Sequence, residues 1–153
     1  MSMLKERIEI KKPLSEVWPY LDLTWWPKIS AIFQRVDSMD GTMQAGSRFN
    51  VIAGPGEAKV EYQVEIVVCD EPLGRLVYKR MGGPLPGTSE WLFSSSAAGT
   101  KIDYTNYYQH DLPSAALSSI SRAMIRFLNE LREAVEKSKE LETIEGTPQQ
   151  LEG

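Results

Sequence analysis

Short blocks of alternating apolar and polar residues, followed by one long run at helical spacing, most constrain how this chain can fold. The clearest block runs over residues 58–68, where every second residue from Val60 to Val68 is apolar and most of the residues between them are charged or polar. A period of two places successive side chains on opposite faces of a strand. This block therefore predicts a β-strand with one buried and one exposed face.

Glycine and proline divide the centre of the chain into further blocks of this kind. Residues 75–80, 88–95 and 100–110 repeat the alternation, and residues 4–10 open the chain with it. The turn residues between the blocks are Asp40-Gly41, Gly54-Pro55-Gly56, Gly82-Gly83-Pro84 and Gly99. Turns at such intervals are typical of antiparallel strands joined by short connections. We expect a meander of about six strands, and six to seven strands in all.

Two short helices are expected between the first strand and the meander. Pro13 ends the first strand, and Ser15 is a suitable N-cap for a helix that follows it. Thr24 is a suitable N-cap for a second helix. Adjacent tryptophans on a helix point to different sides, so we expect Trp26 in the core and Trp25 at a cavity entrance or an interface.

A third, much longer helix is expected after Pro113 and Ser114. Its apolar residues recur three or four positions apart, at Leu117, Ile120, Met124, Phe127, Leu128, Leu131 and Val135. Such a stripe is typical of an amphipathic helix that packs on a sheet. The spacing is lost after about Ile144, so we expect a flexible tail over residues 145–153.

The composition fits one globular domain and disfavours several classes of function. The 153 residues, 42% hydrophobic and 25% charged, are enough for a single core, and Cys69 has no partner for a disulfide. A net charge of −4, spread along the chain, offers no basic surface to nucleic acid. Residues 1–12 lack a secretory signal, and no segment reaches the ~18 apolar residues of a membrane span. We expect a cytoplasmic monomer or weak homodimer.

Neither a metal nor a cofactor is predicted. His110 is the only histidine and Cys69 the only cysteine, so the chain lacks the paired ligands of a conventional zinc site. The glycine clusters lack the lysine of a phosphate-binding loop and the spacing of a dinucleotide-binding loop.

The order of elements resembles that of the START-like or SRPBCC superfamily. The residues that carry the resemblance are Ile8-Glu9-Ile10, Pro13-Leu14-Ser15-Glu16-Val17-Trp18, Trp26-Pro27 and Gly99-Thr100-Lys101-Ile102. The resemblance covers residues 3–142 and implies an α+β helix-grip fold, in which a curved antiparallel sheet wraps around the C-terminal helix and leaves a cavity. In relatives this cavity holds sterols, lipids, polyketides, hormones or quinones. The resemblance also implies a single ligand-binding domain over residues 1–144.

Strand alternation and the helical stripe together predict which side chains line such a cavity. They are Tyr62, Tyr78, Trp91 or its neighbour Leu92, Tyr104, Asn106, Tyr108, Met124 and Phe127. Tyrosines combine a broad apolar face with one hydroxyl, which suits a mostly apolar ligand, although the same residues also suit plain core packing. Asn106 is the sharpest candidate, because a buried amide needs a partner. Arg80 follows Tyr78 on the same face, but we expect it to reach solvent at the Gly82 turn.

Three functions remain open from the sequence. The first is binding or transport of a small hydrophobic ligand, such as a lipid, polyketide, quinone or aromatic compound. The second is an enzyme that resembles polyketide cyclases or dehydratases, with His110 or a tyrosine as the acid–base group. The third is a protein-interaction module that resembles co-chaperones and uses Trp25. The aromatic residues favour ligand binding without catalysis.

Overall fold

A seven-stranded antiparallel sheet forms most of the domain. The computed structural model describes residues 2–54 and 59–152, with side chains up to residue 137. Within this part the strand order is β1-β7-β6-β5-β4-β3-β2, so β2 to β7 form a meander and β1 pairs with β7. The strands are β1 (Ser2–Ile10), β2 (Phe33–Ser38), β3 (Arg48–Ala53), β4 (Val60–Asp70), β5 (Arg75–Met81), β6 (Gly87–Ser95) and β7 (Thr100–Tyr108).

Two short helices precede β2, and one long helix follows β7. The helices are α1 (Leu14–Val17), α2 (Trp26–Ile29) and α3 (Ser114–Glu152), with 3₁₀ turns at Trp18–Leu21 and Leu23–Trp25. The expected α+β helix-grip fold is confirmed. No helix in the described part combines the length and hydrophobicity that crossing a membrane requires.

The caps of the two short helices differ from the expected ones. Pro13 occupies the N-cap of α1, and its carbonyl accepts from the backbone N–H of Glu16 at 3.0 Å, so the helix begins too early for Ser15 to cap it. Asp22, and not Thr24, caps the 3₁₀ turn Leu23–Trp25, and Trp25 is the N-cap of α2 with no side-chain hydrogen bond. Asp22 Oδ1 accepts from the Thr24 backbone N–H at 3.0 Å and from the Thr24 hydroxyl at 2.7 Å. The Asp22 carboxylate accepts two hydrogen bonds here, and Thr24 donates both of them.

The apolar stripe of α3 packs on the sheet as expected. Met124, Phe127, Leu128, Leu131 and Val135 are all buried, and Ile120 is half-buried. The helical backbone continues to Glu152, beyond the point where the spacing is lost. The side chains of residues 145–153 lie outside the described part, so the flexible tail expected there stays a prediction.

A β-bulge in β4 reverses the alternation near the end of that strand. Ile66 pairs with Tyr78 and Val68 with Val77, which leaves Val67 as an extra, exposed residue. After the bulge, Cys69 lies opposite Leu76 and packs against the core. Strict alternation would place Val68 inside and Cys69 outside, and the bulge exchanges the two, so Cys69 packs inward as a small apolar residue commonly does.

Four aromatic rings fill the core between the short helices, the sheet and α3. Trp26 is 2% exposed, and its ring centroid lies 5.0 Å from Phe127, 5.1 Å from Phe33 and 5.9 Å from Trp91. Trp25 is 47% exposed. The expected core position of Trp26 is confirmed, whereas a role of Trp25 at a cavity entrance or an interface stays a prediction.

Candidate ligand-binding cavity

A cavity of about 260 Å³ lies between the first half of α3 and the inner face of the sheet. Its lining is predominantly apolar. Beyond the predicted residues and a polar cluster described below, the lining includes Leu23, Trp26, Ile32, Phe33, Val51, Ala53, Val60, Val64, Leu85, Ile120 and Ala123. A cavity of about 150 Å³ is enough for benzene. This one therefore suits a ligand of one to two rings.

The alternation brings seven of the eight predicted residues to this cavity. They are Tyr62, Tyr78, Tyr104, Asn106, Tyr108, Met124 and Phe127. Trp91 does not line the cavity, and Leu92 points away from the core with 41% of its surface exposed. Whether these residues contact a ligand stays a proposal.

Trp91 lies behind the cavity wall and holds two of its tyrosines. Its ring stacks on Tyr104, with centroids 4.1 Å apart and an angle of 21° between the planes. Its Nε1–H donates a hydrogen bond to the Tyr78 hydroxyl at 3.2 Å. Trp91 is 0% exposed and does not face the cavity. Its stacking and its hydrogen bond fix the orientation of both tyrosines.

Burial favours the protonated form of three cavity tyrosines, Tyr62, Tyr78 and Tyr108. It raises the pKa of Tyr62 and of Tyr78 above their ordinary values, and nearby Tyr104 adds to both shifts. At Tyr108 burial raises the pKa to about 12, and Tyr104 adds to the shift, while Arg80 and a hydrogen bond with Asn106 oppose it. These hydroxyls are therefore neutral donors at physiological pH and not phenolate bases.

A polar cluster of Arg80, Ser89 and Asn106 lies at one end of this apolar space. Arg80 Nη1 donates to Ser89 Oγ and, at 3.1 Å, to Asn106 Oδ1, and the Ser89 hydroxyl also donates to Asn106 Oδ1. Ser89 is 1% exposed and Asn106 is 5% exposed. Asn106 thus finds its expected partner within the protein, and the two donors fix which amide atom faces them.

The expectation that Arg80 reaches solvent is wrong. Its guanidinium is held at the cavity by Nε–H bonding to the Leu85 carbonyl at 3.2 Å and Nη2–H bonding to the Tyr107 carbonyl at 2.7 Å. Its Cζ lies 4.9 Å from the centroid of the Tyr108 ring. A side chain at Gly87 would meet Arg80 Nη2 at 2.7 Å, so glycine there leaves the space that the guanidinium occupies.

Ser89 is a cavity residue that the sequence reasoning missed. Its signal was present, since Ser89 precedes Trp91 by two positions and so shares its inner face. A serine flanked by Thr88 and Glu90 is also typical of an exposed strand edge, so its identity alone does not indicate a buried position.

A surface depression adjoins the cavity beside α3. Ile32, Gly54 and Ala123 line both spaces, and the depression adds Arg122 and Arg126. Arg126 pairs with Glu130 at 3.0 Å. This approach to the cavity therefore carries positive charge.

His110 does not reach the cavity. It is exposed in the turn after β7 and is not among the lining residues. In the described part of the chain, no three His, Cys, Asp or Glu side chains gather where they could hold a metal ion.

Comparisons with known proteins agree on the architecture. No protein-family model matches the sequence, and no curated protein matches it. A protein from Thermus thermophilus, TTHA0849, is 17% identical with a TM-score of 0.77, over 90% of this chain and 99% of that one. The Zhui aromatase/cyclase from Streptomyces sp. R1128 is 13% identical with a TM-score of 0.75, over 89% and 94%. Ara h 8.0201 is 17% identical with a TM-score of 0.72, over 89% and 98%.

At these identities the similarity establishes the fold. The chain has the helix-grip fold that the resemblance in its sequence implies. The matches span almost the whole length of each of these three proteins, so the similarity includes the sheet, the short helices and α3.

Proposed function

We propose that this protein binds a small, mostly apolar ligand in the cavity between the sheet and α3. The observation that carries the proposal is the cavity itself, which is of ligand size and combines apolar walls with one polar end. Tyr62 and Tyr108 offer neutral hydroxyls to such a ligand, and Trp91 keeps Tyr78 and Tyr104 in place. Prior orientation of the walls lowers the entropic cost of binding.

An enzyme with cyclase-like chemistry is the second candidate. It is favoured by the names of two similar structures, the Zhui aromatase/cyclase and the di-domain ARO/CYC StfQ, the latter 15% identical with a TM-score of 0.69. Its acid–base group would have to be a tyrosine, because His110 lies outside the cavity. Burial raises the pKa of three cavity tyrosines, which opposes a role as general base. Binding without chemistry therefore has the better support.

A core without a cavity would favour the interaction-module hypothesis. A cavity is present, and exposed Trp25 is the feature that remains for this hypothesis. Its ring contacts Tyr20 at 5.8 Å on the surface. This is weaker support than that for ligand binding.

The test is native mass spectrometry of the protein purified from its own host, with identification of any retained compound. A thermal-shift panel of lipids, quinones and aromatic polyketides follows, because a ligand that binds only the folded state raises the melting temperature. One apolar compound that is retained by wild type and lost in Tyr104→Ala and Asn106→Leu supports the proposal. An empty protein that responds to no compound of the panel contradicts it.

A further inference from the structure

We propose that the cavity ligand carries a carboxylate and that Arg80 binds it. This inference rests on the proposed function and adds to it the chemical class of the ligand. The ligand would be a small apolar acid, with its rings or chain against the apolar walls and its carboxylate at the polar cluster of Arg80, Ser89 and Asn106.

The first argument is that the charge of Arg80 has no counter-ion in the protein. All four of its hydrogen bonds run to neutral acceptors, namely two carbonyls, a hydroxyl and an amide oxygen. Within the described residues Arg80 forms no ion pair, and no Asp or Glu lines the cavity. Arg80 is half-buried, and a charge that is partly removed from water is stabilised by a partner of opposite charge. A ligand carboxylate would supply the missing negative charge.

The second argument is geometric. A guanidinium has five N–H groups, and the four hydrogen bonds leave one on Nη2 without a partner among the described residues. This N–H can donate one charge-assisted hydrogen bond to a carboxylate oxygen, which is stronger than a bond between neutral groups. The guanidinium is already held in place by its protein partners, so the ligand would not have to order it.

The third argument is the sign of the charge along the approach. Arg122 and Arg126 lie in the depression that adjoins the cavity, and Arg122 has no ion pair in the described part of the chain. The whole chain has a net charge of −4, so this local excess of cations does not follow from composition. Clefts of one sign concentrate ligands of the opposite sign.

The test compares acids with their uncharged amides. The pairs are benzoate and benzamide, 2-naphthoate and 2-naphthamide, and octanoate and octanamide, measured by calorimetry at neutral pH. In wild type we expect at least one acid to bind about tenfold tighter than its amide, as for a charge-assisted hydrogen bond. Arg80→Met should remove this preference, whereas Arg80→Lys should keep part of it. Arg48→Met, which removes an exposed arginine on the outer face, is the matched control.

Each outcome separates the two proposals. Equal affinity of acid and amide in wild type overturns the carboxylate inference and leaves the proposed binding function standing. If no member of any pair binds, the proposed function fails as well. Should Arg80→Met not fold, the wild-type comparison still decides, together with the ¹⁵Nε resonance of Arg80. That resonance should move with the acid and stay in place with the amide, and equal movement with both counts against the inference.

Discussion

At the scale of single residues, one substitution is enough to test the hydrogen bond between Trp91 and Tyr78. Tyr78→Phe removes the only acceptor that the described residues offer to the buried Trp91 Nε1–H. An unsatisfied buried donor costs about 1–3 kcal/mol. We therefore expect the free energy of unfolding, measured by urea titration, to fall by that amount.

Tyr107→Phe is the control for this change. Tyr107 lies on the outer face of β7, and its hydroxyl forms no hydrogen bond with the described residues. Its replacement should leave stability within about 0.5 kcal/mol, as is usual for surface positions. Equal losses in the two variants would mean that the Trp91 hydrogen bond contributes nothing of its own.

The fate of individual predicted residues shows how far strand periodicity reaches. It predicted correctly that Tyr62, Tyr104 and Tyr108 line the cavity, because no bulge interrupts their strands at or before these residues. It could not foresee that Trp91 would lie behind Tyr104, since one face of a sheet contains both cavity and filled core. The position of Arg80 could not be foreseen because its partners Asn106 and Tyr107 on β7 lie 26 and 27 residues away in the sequence.

At the scale of elements, the pairing of β1 with β7 predicts a pH effect. Arg7 lies opposite Asp103 and donates to its carboxylate at 2.6 Å, which lowers the pKa of Asp103 below its ordinary value. A lowered pKa stabilises the fold above the unfolded value of about 3.9. That stabilisation is lost as the pH falls through the lower, folded value.

Arg7→Met should therefore cause a small loss of stability near neutral pH, of the order that exposed ion pairs contribute. The difference between wild type and Arg7→Met, followed by urea unfolding, should shrink below about pH 4. A difference that stays constant down to about pH 2, well below the unfolded pKa, would assign the effect to packing of the arginine stem.

The bulge in β4 makes a second prediction at this scale. Deletion of Val67 removes the extra residue and keeps Cys69 opposite Leu76, so the core face survives. We expect the deletion to lower the free energy of unfolding by about 1 kcal/mol, typical of single changes. The Cys69 thiol of the variant should still react slowly with a disulfide reagent, since burial raises its pKa.

Deletion of Gln63 is the contrasting variant. Gln63 lies in a regular stretch, so its loss forces Tyr62 or Val64 onto the outer face. This variant should unfold at a much lower temperature. If the two deletions have the same effect on the melting temperature, Val67 is not a free insertion and the register argument is wrong.

At the scale of the whole molecule, the order of elements was predictable and the cavity was only inferred. Element order follows from periodicity and turn residues, which are local signals. The volume of the cavity depends on how Trp26 and Phe33 meet Phe127, which comes from α3 and is distant from both in the sequence. No local pattern reports how completely such side chains fill a space.

A substitution that fills the cavity tests its role in binding separately from the stability of the fold. Ala123 lies on α3 and lines the cavity, so Ala123→Phe places a ring where a ligand would lie. Ala115 lies on the same helix and is exposed, which makes Ala115→Phe the matched control. We expect Ala123→Phe to weaken binding of the compound with the largest thermal shift by at least about tenfold. Its stability should change by no more than about 3 kcal/mol, because the ring enters space that already exists. Ala115→Phe should bind like wild type. Undiminished binding by folded Ala123→Phe would place the ligand on another surface, and Arg80 would then be a structural clamp between β5, β6 and β7.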